Sequence, residues 1–318
     1  MRRVRYHEYG GPEVLRVEEA DVPRPGAGQV LLKASAIGAN FVDTRFRQGG
    51  TGMFQRPLPG SLTADVVGTV ESVRPEVDTG LVGRRVAALV ADDAFADYSV
   101  TDADWLVEVP AGVDDASATM LPMAAPLALR ILRTGRLAPG ETVLVHAAAG
   151  GIGHIATQLA KRLGGNVIAT AGSPAKLEFA RAHGADEAVD YRDPSWPERL
   201  PDGVDVVLDS VGGTVLEQSI ALLKPFGRAV VYGAAAGELA RIPVESLFGL
   251  KTVTGFSVLA WRAAAQKEAA AEIAEVAAMF AAGQLRTTVH TRLPLTDAVE
   301  AHRVLDAREQ AGRVLLIP

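Results

Sequence analysis

The sequence predicts an α/β protein: a β-rich domain followed by a doubly wound parallel-sheet domain. Two observations carry this prediction. Residues 1–115 hold closely spaced apolar runs bounded by Gly and Pro, and from residue 117 helical and strand-like segments alternate. Length agrees, because 318 residues correspond to about two domains at roughly 150 residues each.

In the first part, VLLKASAIGA (30–39), ADVVGTVESV (64–73) and RRVAALV (84–90) read as strands. GPEVL, PRPGAGQ and PLPGS supply turn chemistry between them. Short strands so close together suggest an antiparallel barrel or sandwich. SATMLPMAAPLALRILRTG is helical, with Pro122 and Pro126 marking an irregular start. TVLVHAAA (142–149) is a strand and GIGHIATQLAKRLG (151–164) a helix. Its apolar residues Ile152, Ile155, Ala156, Leu159, Ala160 and Leu163 fall on one helical face. NVIATAG (166–172) is the next strand, and the helix after it takes Ser173 as N-cap, Pro174 at its first position and Gly184 at its C-cap. EAVDY (187–191), DVVLDSV (205–211) and GRAVVYGA (227–234) follow as strands. These runs are apolar throughout, as suits parallel strands covered on both faces. The Ala-rich stretch 263–282 is helical, with Ile273, Val276, Ala277 and Phe280 on one face, and the tail gives a capped helix and a final strand VLLI.

Composition excludes several functions. Hydrophobic residues at 48% and charged residues at 22% are ordinary for a soluble chain. A net charge of −6 argues against nucleic acid or anionic membrane as partner. With no Cys there is no disulfide framework, thiolate nucleophile, zinc finger or iron–sulfur cluster. The six His are at least eight residues apart, so no HExxH pair exists and no metal site is expected. The charged start MRRVRYHEYGG lacks an apolar stretch behind it, which points to a cytoplasmic protein.

The most informative segment is TVLVHAAAGGIGHIATQLA, where a strand runs into Ala148-Ala149-Gly150-Gly151-Ile152-Gly153 and opens a helix. This is an A-x-G-x-x-G form of the dinucleotide fingerprint in the strand–turn–helix context that gives it weight. Gly150 lets backbone approach a pyrophosphate, and Gly153 lets helix and strand pack closely. A nicotinamide dinucleotide lacking the 2′-phosphate needs an Asp or Glu about 20 residues further on. That region reads Thr170-Ala171-Gly172-Ser173-Pro174-Ala175-Lys176, with a hydroxyl and a cation but no acid. Charge-assisted hydrogen bonds contribute about 1.5–3 kcal/mol each, so two of them favour NADPH over NADH by roughly 10²–10⁴-fold.

The chain resembles the zinc-free quinone oxidoreductases of the medium-chain dehydrogenase/reductase superfamily. The matching pieces, in order, are AIGANFVDTRFRQG (36–49), ADVVGTV (64–70), HAAAGGIG to QLAK (146–161), VVLDSVGG (206–213) and AHRVLDAREQAGRVLLIP. The resemblance implies a GroES-like domain from residues 1–119 and 286–318 around a Rossmann domain of residues 120–285. It implies NADPH as cofactor and a 2′-phosphate held by Lys176, Tyr191 and Arg308. The implied cofactor contacts are completed by Ala149, Gly150, Gly151, Ile152, Gly153, Gly172, Ser173, Ser210, Gly233, Phe256 and Val258. Asn40 is placed beside the nicotinamide with Asp43 supporting its loop, and Asp65 stands where relatives usually have Glu. Arg45 replaces a frequent Tyr, and Ala124 and Ala125 replace polar residues. A homodimer through the sheet edge at 247–259 is implied as well.

The expected reaction is metal-free hydride transfer to a quinone or other α,β-unsaturated carbonyl in the cleft between the domains. Without an evident acid–base dyad, positioning and hydrogen bonds to the developing oxyanion carry catalysis. Asn40 and Arg45 are the candidate donors, with Asp65 the third residue of the catalytic set. An enoyl thioester reductase and a non-catalytic NADPH-binding redox sensor are the alternatives. A basic entrance made of Arg45, Arg47 and Arg56 would favour a CoA-type acceptor.

Overall fold

In the computed structural model, which describes residues 1–49 and 52–318, fifteen strands follow in chain order. They are β1 Arg2–Tyr6, β2 Leu15–Glu19, β3 Gln29–Gly38, β4 Ala64–Val73, β5 Arg85–Val90, β6 Tyr98–Asp102, β7 Leu106–Glu108 and β8 Thr142–Val145. Then come β9 Asn166–Ala171, β10 Glu187–Asp190, β11 Val204–Asp209, β12 Leu223–Val231, β13 Thr252–Gly255, β14 Val289–Pro294 and β15 Arg313–Ile317. The described chain divides into two units, Met1–Met123 with Ala277–Pro318, and Ala124–Val276.

The first unit is built on a seven-stranded sheet in the order β14-β15-β3-β4-β5-β7, with β6 also paired to β3. Its pairings are antiparallel except β14 with β15, which run parallel. Parallel neighbours need a crossover, and the helix Ala298–Asp306 supplies it. That helix buries Ala298, Ala301, His302 and Leu305, a 3–4 spacing that places one face in the core. There Leu295, Ala301 and Leu305 pack with Val30, Leu32, Ile37, Val66 and Leu316. The C-terminal segment therefore returns to complete the core begun by the N-terminal strands.

The second unit holds six parallel strands in the order β10-β9-β8-β11-β12-β13. Numbered within the unit this is 3-2-1-4-5-6, a doubly wound sheet whose order reverses between β8 and β11. Ligands in such sheets bind outside the carboxyl ends of the strands at this reversal. Val143, Leu144, Val145, Val206, Val207 and Leu208 are all fully buried, as strands covered on both faces require.

Local details depart from the sequence reading. The first parallel strand stops at Val145 instead of reaching 149, because Ala147 adopts φ +49° and turns the chain. Of the 227–234 run only the part up to Val231 is strand, the end of β12, which begins at Leu223. The 263–282 helix begins at Gln266, after a separate helix Val258–Ala264, and only Thr252–Gly255 of the β-prone stretch 247–259 is strand. Gly184 lies one position beyond the C-cap, which is His183, and takes the left-handed φ of +104°.

Candidate active site

All the sequence-selected cofactor residues of the second unit follow the carboxyl ends of its strands. Ala149 to Gly153 follow β8, Gly172, Ser173 and Lys176 follow β9, and Tyr191 follows β10. Ser210, Gly233, and the pair Phe256 and Val258 follow β11, β12 and β13.

After β8 the chain is pinned by Ala148 N–H donating to Thr170 O (3.0 Å) and Gly150 N–H donating to Ala147 O (2.8 Å). The helix Gly153–Arg162 starts directly from this turn. A Cβ on Gly153 would lie 2.3 Å from Ala147 O and 2.7 Å from Ala148 Cα, so only glycine permits this approach. A Cβ on Gly150 would lie 3.2 Å from Ala147 O, and the turn stays free of side chains at Gly150 and Gly151. Bare backbone running into a helix N-terminus is suited to an anion such as a pyrophosphate.

Beneath the turn, His146 is fully buried between the hydroxyls of Thr170 (Nδ1, 2.8 Å) and Ser219 (Nε2, 2.7 Å), with the Trp196 ring edge-on at 5.7 Å. Burial pushes its pKa down to about 3. His146 is therefore neutral near pH 7 and ties β9 at Thr170 to the helix Gly213–Leu222 at Ser219, and is not a proton source.

At β9 the Ser173 hydroxyl caps the next helix, accepting from Lys176 N–H at 3.4 Å. This cap sets Lys176 in the first turn, beside the end of β9. The Tyr191 hydroxyl stands 3.6 Å, and Arg192 Cδ 3.5 Å, from where a Cβ on Gly172 would lie. The structure thus brings Gly172 and Tyr191 together and adds Arg192, which the sequence reading overlooked. Asp190, the last residue of β10, is paired with Arg192 at 2.7 Å, and Asp193 in the turn beyond is paired with Arg199 at 3.2 Å. At β11 the buried Asp209 accepts from the N–H groups of Val211 (3.2 Å) and Gly212 (3.0 Å) and so shapes the turn that carries Ser210. Burial pushes its pKa up to about 6 against those hydrogen bonds. A Cβ on Gly233 would lie 2.9 Å from Ser210 O, which places these two residues in contact.

The first unit carries the remaining candidates. Asn40 and Asp65 are buried, and Asn40 Nδ2 donates to Asp65 Oδ2 at 3.1 Å. Both are also held by Arg313, a residue sequence reasoning missed; its Nη1 donates to Asn40 Oδ1 (2.8 Å) and its Nη2 to Asp65 Oδ2 (2.5 Å). Asp43 is fully buried and accepts from Thr63 N–H (2.7 Å) and its hydroxyl (3.0 Å), tying the helix Val42–Arg47 to the chain leading into β4. Burial raises its pKa to about 7 despite those bonds. Arg45 and Arg308 both lie over the Phe41 ring, at 5.3 and 5.4 Å from its centre.

The basic entrance read from Arg45, Arg47 and Arg56 is not what the structure shows. Arg47 is fully buried and bonded to Asp306, Gly10 O and His302. Arg56 lies over the Phe46 ring at 4.4 Å. Along one turn of helix, Arg47 is buried whereas Arg45 is half-buried. Among the described residues no group of three or more His, Asp or Glu could hold a metal ion.

Comparison with known proteins identifies the family. Residues 26–111 match the alcohol dehydrogenase GroES-like domain, and residues 151–276 match the zinc-binding dehydrogenase model. A quinone oxidoreductase of Pseudomonas aeruginosa is 35% identical over 100% of this chain and 99% of its own length. The chain belongs to the quinone oxidoreductases of the medium-chain dehydrogenase/reductase superfamily. A 2-haloacrylate reductase of a Burkholderia species is 34% identical over 98% of this chain and 97% of its own. The Escherichia coli quinone oxidoreductase solved in complex with NADPH superposes with a TM-score of 0.92 at 32% identity, covering 100% of both chains. The chain itself has no Cys. No helix among the described residues is long and apolar enough to cross a membrane.

Proposed function

We propose that this protein is an NADPH-dependent reductase that delivers hydride to a quinone or another α,β-unsaturated carbonyl. The observation that carries the reading is the rim after β9 and β10, where Ser173, Lys176, Tyr191 and Arg192 gather and no unpaired acid follows β9. That donor set fits a 2′-phosphate and lacks the carboxylate that a free ribose diol would need. The side-chain-free turn after β8 fits the pyrophosphate, held by N–H groups from Gly151 to Gly153, while the Gly150 N–H stays on Ala147 O. Ser210, Gly233, Phe256 and Val258 belong to the nicotinamide side of the cofactor. When bound, NADPH supplies the hydride. The chain's own part is to orient the acceptor and to donate a hydrogen bond to its carbonyl oxygen as negative charge builds there, with Asn40 and Arg45 as donors and Asp65 holding Asn40. His146 and His302 are both held neutral by burial, with pKa values near 3, so neither supplies the proton. Water completes protonation.

A second reading concerns the acceptor alone. Arg45 stands where relatives often carry Tyr, and a cation there suits an acceptor with a carboxylate or phosphate; the 2-haloacrylate reductase among the relatives is named for such an anionic substrate. Wild-type enzyme is expected to oxidise NADPH with 9,10-phenanthrenequinone or 1-octen-3-one, and crotonyl-CoA and 2-chloroacrylate test the anionic class. Lys176→Ala should weaken NADPH binding about tenfold while leaving NADH within twofold, one charge-assisted hydrogen bond in a half-exposed setting. A preference of the wild type for NADH would sink the cofactor assignment, and silence with every acceptor would leave an NADPH-binding sensor.

A homodimer along β13 is part of the same proposal. β13 ends its sheet, and Phe226, Leu239, Val244, Phe248 and Leu250 nearby are large apolar residues at least 58% exposed. An edge strand flanked by such side chains invites pairing with a second copy. Light scattering should report twice the chain mass; a monomer would remove this part.

A further inference from the structure

We propose that Arg313 is a positioning residue for the reduction: it locks the Asn40 carboxamide in one orientation, with one N–H directed away from the protein network and available to the acceptor oxygen. The proposal rests on the reductase reading above and names a residue that reading does not use.

The argument begins with donors and acceptors. A guanidinium has five N–H groups and accepts nothing. Arg313 is 3% exposed and spends its donors on five acceptors. Nε donates to Thr119 Oγ1 (3.3 Å), Nη1 to Asn40 Oδ1 (2.8 Å) and Ala39 O (3.4 Å), and Nη2 to Asp65 Oδ2 (2.5 Å) and Thr119 O (3.4 Å). An amide's two ends are interchangeable in shape, so only its neighbours decide which way it faces. Here both neighbours are one-way groups. Arg313 can only donate, so it takes Oδ1; Asp65 as a carboxylate only accepts, so it takes Nδ2. A flipped Asn40 would set N–H against N–H and oxygen against oxygen inside a buried ion pair.

The amide nitrogen has two N–H groups, and Asp65 takes one. Asn40 is 8% exposed, and its second N–H is the one assigned to the acceptor oxygen. The cation on Oδ1 draws electron density from the amide and makes that N–H a stronger donor. Gly38 belongs to the same device. A Cβ there would lie 2.0 Å from Arg313 Nη2 and 2.5 Å from Cζ, so glycine is the residue that lets the guanidinium cross β3 to reach Asn40. A role confined to holding the fold does not require the fork to end on an amide with a spare donor.

The test is a double-mutant cycle. Asp65→Asn with Arg313→Gln exchanges the ion pair for neutral amides without leaving a lone buried charge. It is made in wild type and in Asn40→Ala, and each protein is measured for kcat, for NADPH Kd by fluorescence and for Tm. Loss of a preorganised oxyanion donor costs about 10²–10³ in kcat, so its misorientation is expected to cost about 10–100-fold. NADPH Kd should stay within about threefold, since the cofactor cradle is untouched. In the Asn40→Ala background the same exchange should change kcat less than about twofold. Equal losses in both backgrounds would make Arg313 merely structural, and an Asn40→Ala enzyme with normal kcat would also overturn the proposal. If the exchanged pair does not fold, Gly38→Ala displaces the guanidinium with all charges kept and runs through the same cycle with the same criteria. Failure of the parent reading is separate: it would appear as wild-type protein that does not bind or oxidise NADPH.

Discussion

Gly153→Val is expected to weaken NADPH binding at least about 100-fold and to lower Tm, and Gly153→Ala is expected to do the same to a smaller degree. The physical reason is a backbone contact that nothing can relieve. Even a single Cβ would fall 2.3 Å from Ala147 O, 2.7 Å from Ala148 Cα and 2.9 Å from Ala147 C. Those atoms cannot retreat, because Ala148 N–H is bonded to Thr170 O across to β9 and Ala147 O already accepts from Gly150. The helix Gly153–Arg162 must move instead, and it carries the N–H groups that would face a pyrophosphate. Overpacking of this kind costs about 1–3 kcal/mol in stability. The larger effect falls on binding, since several hydrogen bonds to an anion weaken together when their donors shift as a unit. Gly150 is the control. Its Cβ would meet only Ala147 O, at 3.2 Å, so Gly150→Ala should fold nearly as well while still placing a methyl at the phosphate face. Fluorescence titration with NADPH and calorimetric Tm read the two effects apart. A Gly153→Ala protein with unchanged Kd would mean that the turn is not where the cofactor is held.

The reason that turn was legible while other parts were not lies in the distance over which each contact is made. The glycine turn, its strand and its helix lie within about 20 residues, so the sequence alone shows them in order, with the strand end cut short at Val145 and the helix confined to Gly153–Arg162. The Ser173 cap with Pro174 behind it is equally local, and the helix it opens begins at Pro174. The parallel sheet was legible because buried strands leave continuous apolar runs. Arg313 was not, because its contacts with Asn40 and Asp65 cross 273 and 248 positions of sequence and no local pattern marks an arginine as buried. In the text it is one more basic residue before a final strand. Arg192 was missed for a different reason: Tyr191 beside it drew the assignment, and only the fold shows both against Gly172. The β14–β15 pairing shows the same limit in backbone form, since two parallel strands at the C-terminus continue a sheet whose other members lie before residue 109.

Arg47→Met should lower the Tm of the first unit by roughly 6–12 °C, taking about 3 kcal/mol for a broken buried ion pair and about 2–4 °C per kcal/mol for a unit of this size. Arg45→Met should cost only about 0.5–1 kcal/mol, the worth of its contact with Phe41. Both residues sit on the six-residue helix Val42–Arg47, with the same charge and nearly the same flanks. Their difference is burial. The Arg47 side chain is 0% exposed and its Asp306 partner 23%, so removing the guanidinium strands a carboxylate that water reaches only in part. It also strips a donor from Gly10 O and from Nδ1 of His302. Since Arg47 can only donate, Nδ1 must be the accepting nitrogen, and the ring must be neutral. Burial first and the neighbouring cation second push the His302 pKa down to about 3, in keeping with that role. Lysine is no substitute, because one ammonium cannot reach a carboxylate, a carbonyl and a ring nitrogen with the spacing of a planar fork. Arg47→Lys should therefore recover less than half of the lost Tm. Replacing Asp306 by Asn together with Arg47→Met removes the stranded charge and should restore part of the stability, which separates the cost of an unpaired carboxylate from that of lost packing. Scanning calorimetry on the four variants and the wild type decides it, and equal Tm losses at Arg45 and Arg47 would show that the buried fork carries none of the stability assigned to it.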